Sequence, residues 1–205
     1  MPISIQLDPD LVNAVDLQAV APRTTWHANA KYFQAAAGVE AYRLLAYLAS
    51  KMPDGARVAD VGTYLGYSAL ALSTAPHVHV ESYDVADFVD GSAPSAKGVP
   101  NITLHIRDCF DDMATIQRCP LISLDFDTET DTKLYARFVE HLAAAGYQGI
   151  VVCDDVCLND AMRSFWKRVA QPKIDATLVG HWSGSGIIVF GDQFDIHGVG
   201  AMLVT

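Results

Sequence analysis

From about residue 56 onward the chain alternates short β-rich runs with segments of helical period, and this alternation limits its fold more than any other feature. Strands are expected over 57–61, 77–83, 102–106, 121–126, 149–153, 177–181 and 187–190. Several are apolar almost throughout, as in Ile150-Val151-Val152, which is how a strand covered on both faces reads. Helical spacing lies between them. Leu65, Ala69 and Leu72 share a face over 64–73, and Leu134, Phe138 and Leu142 share one over 132–145, with Thr130 or Asp131 as cap and Gly146 as stop. Asn159 or Asp160 can cap a further helix carrying Met162, Phe165, Trp166 and Val169. Such alternation builds βαβ units, so the expected class is α/β with a doubly wound, mostly parallel sheet of seven strands. Only residues 181–186 separate the last two strand candidates. That is too short for a crossover helix, so the sheet should end in an antiparallel hairpin.

The 205 residues suit one globular unit with a substantial core. Residues 1–37 stand outside the alternation and are expected to form a helical extension or lid, with helices over 10–20 and 38–51 ahead of the first strand. Residues 38–205 then form the main domain. Acidic side chains number 24 against 14 Lys and Arg, a formal charge of −10, which argues against a nucleic-acid partner because phosphate binding needs clustered cations. No apolar run reaches the roughly 20 residues that span a bilayer, and the opening Met1-Pro2-Ile3-Ser4 lacks the pattern of a signal peptide. A cytoplasmic protein is expected, with a homodimer as one possible assembly. Cys109, Cys119, Cys153 and Cys157 fit neither a redox pair nor a zinc knuckle, and reduced thiols are expected.

Two segments carry the chemistry. The first is Asp60-Val61-Gly62-Thr63-Tyr64-Leu65-Gly66-Tyr67-Ser68, at a strand end and a helix start. Its glycines permit a tight turn and close approach of a ligand, and the helix start offers free amides. The spacing is neither the dinucleotide G-x-G-x-x-G, which argues against a nicotinamide oxidoreductase, nor a phosphate-binding P-loop. Ser68 also lacks the final glycine of a hydrolase elbow. Asp84 follows the second strand, where it can accept two ribose hydroxyls, and Asp108 follows the third, where it can meet an adenine amine. The alternative for each acid is a cap or a solvated turn.

The second segment is acidic. Leu124-Asp125-Phe126-Asp127 ends the fourth strand and Cys153-Asp154-Asp155 the fifth. Adjacent strands lie about 4.8 Å apart, so Asp125, Asp154 and Asp155 can crowd together, and crowded carboxylates need protons or a cation. An all-oxygen set suits Mg²⁺ first and Ca²⁺ or Mn²⁺ next; the alternative is helix capping and solvation. Six histidines sit on separate elements in ordinary roles, whereas His181 ends a strand beside a Gly-Ser turn. It is a candidate base, with structural packing as the alternative. Trp26, Tyr32 and Trp182 are candidate walls of an acceptor pocket.

Over roughly residues 38–190 the chain resembles the class I S-adenosylmethionine-dependent methyltransferases, whose fold is Rossmann-like with seven strands and a terminal hairpin. The Asp60–Ser68 segment is similar to the first motif of the small catechol and caffeoyl-coenzyme A O-methyltransferases. The resemblance implies that Asp60, Gly62, Thr63, Tyr64, Gly66, Tyr67, Ser68, Asp84, Asp108 and Asp125 surround the cofactor, and that Asp125, Asp154 and Asp155 hold a metal. Catechol-type enzymes carry a lysine base just after the fourth-strand aspartate, whereas here Phe126-Asp127-Thr128-Glu129 follows, leaving Asp127, Glu129 or His181 to take the proton. Glu40-Ala41-Tyr42-Arg43-Leu44-Leu45-Ala46-Tyr47-Leu48 and Gly180-His181-Trp182-Ser183-Gly184 are similar to a little-described bacterial and viral group. The expected function is methyl transfer from S-adenosylmethionine to a small-molecule hydroxyl, assisted by a divalent ion. Metal-free N-methylation and a catalytically silent cofactor-binding subunit are the alternatives.

Overall fold

The computed structural model describes residues 1–89, 91, 95–127, 133–198 and 202–203. In chain order the elements are β1 (Ile3–Gln6), α1 (Pro9–Asn13), α2 (Tyr42–Ala49), β2 (Arg57–Val61), α3 (Tyr67–Leu72), β3 (His79–Asp84), β4 (Ile102–Ile106), α4 (Met113–Ile116), β5 (Leu121–Leu124), α5 (Lys133–Ala144), β6 (Gly149–Cys153), α6 (Asp160–Arg168), β7 (Lys173–Asp175), β8 (Gly186–Phe190), β9 (Phe194–His197) and β10 (Met202–Leu203). The main sheet runs β10-β7-β8-β6-β5-β2-β3-β4. Strands β4, β3, β2, β5 and β6 are parallel, while β8 inserts antiparallel between β6 and β7. Seven mostly parallel strands with a terminal antiparallel hairpin are therefore present, extended at one edge by the two-residue β10. Strands β1 and β9 pair in a separate parallel ribbon.

The two-residue period of β2 divides the core. Val58 joins Leu44, Leu48, Leu70 and Val80 on the α2 and α3 side. Ala59 and Val61 face the other way and join Ile122, Phe138, Leu142 and Phe165 beneath α5 and α6. Asp60 shares the parity of Val58, so a carboxylate is driven into the interior next to the first βα turn. Here Asn159 caps α6, its side chain accepting from Met162 N at 2.9 Å. The proposed caps Thr130 and Asp131 lie outside the described residues. All four cysteines are free, and three are buried.

Two expectations are corrected. The sixth strand is Lys173–Asp175, not 177–181. Asp175 Oδ1 accepts from Thr177 N at 2.9 Å and Gly180 N donates to the Thr177 carbonyl, so local turns consume the amides a strand would need. The helix expected over 10–20 is only α1, after which the chain proceeds in short 3-10 turns. Arg43 gathers this segment, donating to the carbonyls of Asn13, Val15, Gln34 and Ala35. Ile5, Leu7, Leu17 and Phe33 enter the same core as the sheet.

Lys173 is 5% exposed, and its Nζ donates to the carbonyls of Trp166 at 2.6 Å, Val169 at 2.8 Å and Lys167 at 3.2 Å. It ties off the last turn of α6, where carbonyls lack helical partners. Lys173→Met should lower stability by about 2–3 kcal/mol, about 4–12 °C in melting temperature for a chain of this size. A thermal melt within 1 °C of the parent would contradict this role for Lys173.

Candidate active site

The parallel strands all end on one edge, and the sheet order reverses where β2 meets β5, the place where open α/β sheets leave a crevice. Gly62 leaves β2 with φ +87°, and a Cβ there would lie 1.9 Å from the Asp125 carbonyl oxygen. Only glycine lets the β2 and β5 ends approach this closely. Gly62 N donates to the Tyr83 carbonyl at 2.9 Å and Asp125 N to that of Val61 at 2.9 Å, so three strand ends are locked together. Tyr64 is also left-handed (φ +43°), and its amide donates to Asp84 Oδ2 at 2.8 Å. Gly66, with φ +79°, opens α3.

Asp60 is 1% exposed and accepts from Ser82 Oγ at 2.9 Å. Burial raises its pKa, while hydrogen-bonding groups on Thr63, Ser68 and Ser82 work against that rise. Thr63 Oγ1 lies close enough to exert that influence but forms no well-shaped hydrogen bond with any group. The Tyr67 hydroxyl donates to the Thr24 carbonyl at 2.8 Å, and its ring joins Trp26, Phe33 and Tyr42 in an aromatic cluster.

Along the strand ends runs a cleft of about 590 Å³, lined among others by Gly62, Tyr64, Asp84, Asp108, Phe110 and Phe126. Asp125 and Asp127 line it as well. The rings of Phe110 and Phe126 lie nearly parallel with centroids 6.4 Å apart. Asp108 also caps the turn that follows it, Oδ1 accepting from Phe110 N at 2.9 Å, so the capping and cleft-lining roles coexist. Glu129 lies outside the described residues.

A smaller cavity of about 100 Å³ adjoins the cleft and shares Gly62, Tyr64 and Asp125 with it; its other walls include Glu40, Thr63, Ser68 and Asp154. Asp125 is open to water along the cleft yet surrounded by protein elsewhere. Burial and the charges of Asp154, Asp155 and Asp60 drive its pKa well above the usual carboxylate range. Asp155 adopts φ +62°, and its carboxylate accepts from Ser183 Oγ. His181 stands among these acids. Its Nδ1 is 2.7 Å from Ser183 Oγ, 3.3 Å from Asp154 Oδ1 and 3.6 Å from Asp155 Oδ1, and its Nε2 is 3.8 Å from Glu40 Oε2. Burial opposes a charged ring, but hydrogen bonds to Asp154 and Asp155 and the charges of Asp154 and Glu40 outweigh it, pushing the pKa up to about 10. In this state His181 holds a proton rather than standing ready to accept one.

Ligand atoms of Glu40, Asp154 and His181 all lie within 4.8 Å of one another, the only such group among the described residues. The three aspartates Asp125, Asp154 and Asp155 are neighbours but do not converge in this way. Trp182 is 68% exposed beside His181 and Tyr32 is 45% exposed, whereas Trp26 packs in the aromatic cluster. Glu40 and Ser183 carried no role in the sequence reading. Both lie in its two quoted motifs, Glu40-Ala41-Tyr42 and His181-Trp182-Ser183, and the spatial meeting of those motifs was the missing signal.

The sheet order, its reversed β8 and a cleft at the switch point together define the fold of the class I S-adenosylmethionine-dependent methyltransferases. No protein-family model and no curated protein matches the sequence. Among solved structures, the chain is similar to a Podospora anserina methyltransferase with S-adenosylhomocysteine bound, at 16% identity over 85% of this chain and 88% of that one, TM-score 0.60. It is similar to a candidate caffeoyl-CoA O-methyltransferase from Staphylococcus aureus at 12% identity over 66% and 76% of the two chains, TM-score 0.51. A conserved Streptococcus pyogenes protein aligns at 19% identity over 71% and 92%, TM-score 0.51. Among the described residues no helix is long and apolar enough to cross a membrane.

Proposed function

We propose that the chain transfers the methyl group of S-adenosylmethionine to a hydroxyl oxygen of a small-molecule acceptor. The observation that carries this reading is the junction at Asp125, where a nucleoside-sized cleft meets a small acidic cavity through shared walls. About 590 Å³ lies within the range of small-ligand sites. Asp84 is assigned to the ribose hydroxyls, Asp108 to the adenine edge, Phe110 and Phe126 to the base faces, and Gly62 to the closest backbone approach. The bound cofactor supplies an activated methyl on its sulfonium, so the protein's task is to align an acceptor behind that methyl. Asp127, which lines the cleft, is assigned to take the acceptor's proton.

The residues at the junction also fit a divalent ion. Glu40, Asp154 and His181 would hold it, and it would lower the pKa of an acceptor hydroxyl. The acidic cavity equally favours a protonated amine, which supports N-transfer as a second reading. Incubation with methyl-tritiated S-adenosylmethionine and separate panels of phenols, alcohols, amines and RNA tests the proposal. Label is expected in a hydroxyl compound and absent from RNA. Label in amines alone would establish N-transfer, and cofactor binding without label in any panel would leave a silent binder.

A further inference from the structure

We propose that the cluster beside the cleft is a mixed carboxylate–imidazole site for a first-row transition ion, with Glu40, Asp154 and His181 as its ligands. The inference rests on the methyltransferase reading only for its use; the site itself rests on side-chain geometry. The ligands come from three separate parts of the chain: Glu40 from the residues before α2, Asp154 from the end of β6, and His181 from the loop between β7 and β8. Their ligand atoms fall within 4.8 Å of one another. Glu40 Oε2 and His181 Nε2, 3.8 Å apart, have the separation of two ligands sharing an ion at about 2.1 Å from each.

The ring's other edge is occupied. Nδ1 faces Ser183 Oγ at 2.7 Å, Asp154 Oδ1 at 3.3 Å and Asp155 Oδ1 at 3.6 Å, the way a metal-binding imidazole is usually held by its second nitrogen, which leaves the other oxygen of Asp154 for an ion. That orients Nε2 toward Glu40 and gives Asp155, in its left-handed conformation, the work of fixing the ring instead of coordinating. Space for water lies alongside. The roughly 100 Å³ cavity lined by Glu40 and Asp154 has room for about three waters. Thr63 lines it too, 4% exposed, with its hydroxyl near the Asp60 carboxylate. Three protein ligands leave coordination positions open for water or an acceptor oxygen.

The donor set decides the ion class. One imidazole nitrogen with two carboxylates suits Mn²⁺, Fe²⁺ or Zn²⁺, whereas Mg²⁺ prefers oxygen alone. This separates the site from an Asp125–Asp154–Asp155 arrangement, in which His181 would have no part.

Chain stripped with EDTA and desalted is titrated with Mn²⁺, following loss of the free-ion electron paramagnetic resonance signal. Nitrogen couplings of the bound ion are read by spin-echo modulation. One Mn²⁺ per chain with an imidazole nitrogen coupling is expected, undisturbed by a hundredfold excess of Mg²⁺ and displaced by Zn²⁺. Glu40→Gln and His181→Gln should each weaken binding by 10-fold or more, with the nitrogen coupling lost in the second, while Asp125→Asn should retain binding within about threefold. Circular dichroism and thermal melts of the same variants report whether each remains folded, and S-adenosylmethionine titration whether each remains cofactor-competent. No Mn²⁺ or Zn²⁺ binding at 1 mM by a chain that still binds the cofactor would overturn the site. Binding abolished by Asp125→Asn and indifferent to His181→Gln would also overturn it. Metal binding without cofactor binding would sustain the site and remove the methyltransferase reading.

Discussion

Alanine at position 62 is expected to abolish S-adenosylmethionine binding and to lower stability by about 3 kcal/mol, about 6–12 °C in melting temperature. Two effects combine. An alanine would be strained at φ +87°, and its methyl would stand 1.9 Å from the Asp125 carbonyl oxygen. The β2 and β5 ends must then separate at the shared wall of the cleft and the acidic cavity. Gly55→Ala separates the two contributions. Gly55 has φ +76°, but an added methyl would meet nothing within 4 Å, so that variant should lose about 1–2 kcal/mol and keep cofactor binding. Calorimetry and thermal melts on both variants decide the matter. Equal losses at the two positions would mean that strain alone accounts for the effect and that the close strand approach does not organise the site.

Asp84→Ala is expected to weaken S-adenosylmethionine affinity by about 100-fold, the loss of charge-assisted hydrogen bonds to two ribose hydroxyls. Asp84 ends β3 facing the cleft, with Oδ2 already accepting from Tyr64 N at 2.8 Å and Oδ1 from Ala86 N at 3.3 Å. Those two bonds hold the carboxylate in place and fix the left-handed turn at Tyr64, so the variant tests orientation as well as charge. Asp108→Ala, at the other end of the cleft, should cost about 10-fold, because one neutral amine contact is at stake. If Asp84→Ala binds within threefold of the parent, the ribose is held elsewhere and the cofactor's orientation in the cleft must be redrawn.

The parallel strands were legible wherever local sequence decides the outcome. Ile102–Ile106 alternates apolar and polar residues and Gly149–Cys153 is a short apolar run between turns, and both match their expected bounds. The hairpin was anticipated, but its first strand was not, since Thr177-Leu178-Val179 reads as strand while the carboxylate of Asp175 turns the backbone. Residues before α2 follow no period because they are shaped by distant partners: β1 pairs with β9, Tyr47 OH bonds the Gln6 carbonyl at 2.7 Å, and Arg43 collects four carbonyls. The site divides in the same manner. Asp60, Gly62 and Asp84 belong to one strand–turn–strand unit whose spacing is visible in the chain. The meeting of Glu40 with His181, by contrast, depends on the closed fold, because the two residues lie far apart in the chain.

The central claim is that the crevice where β2 meets β5 holds S-adenosylmethionine. Its most direct test is calorimetric titration of EDTA-treated chain with S-adenosylmethionine and then with S-adenosylhomocysteine. Saturable binding of both at one site per chain is predicted, lost in Gly62→Ala. A chain with intact circular dichroism that takes up neither ligand would contradict the account and leave only the fold.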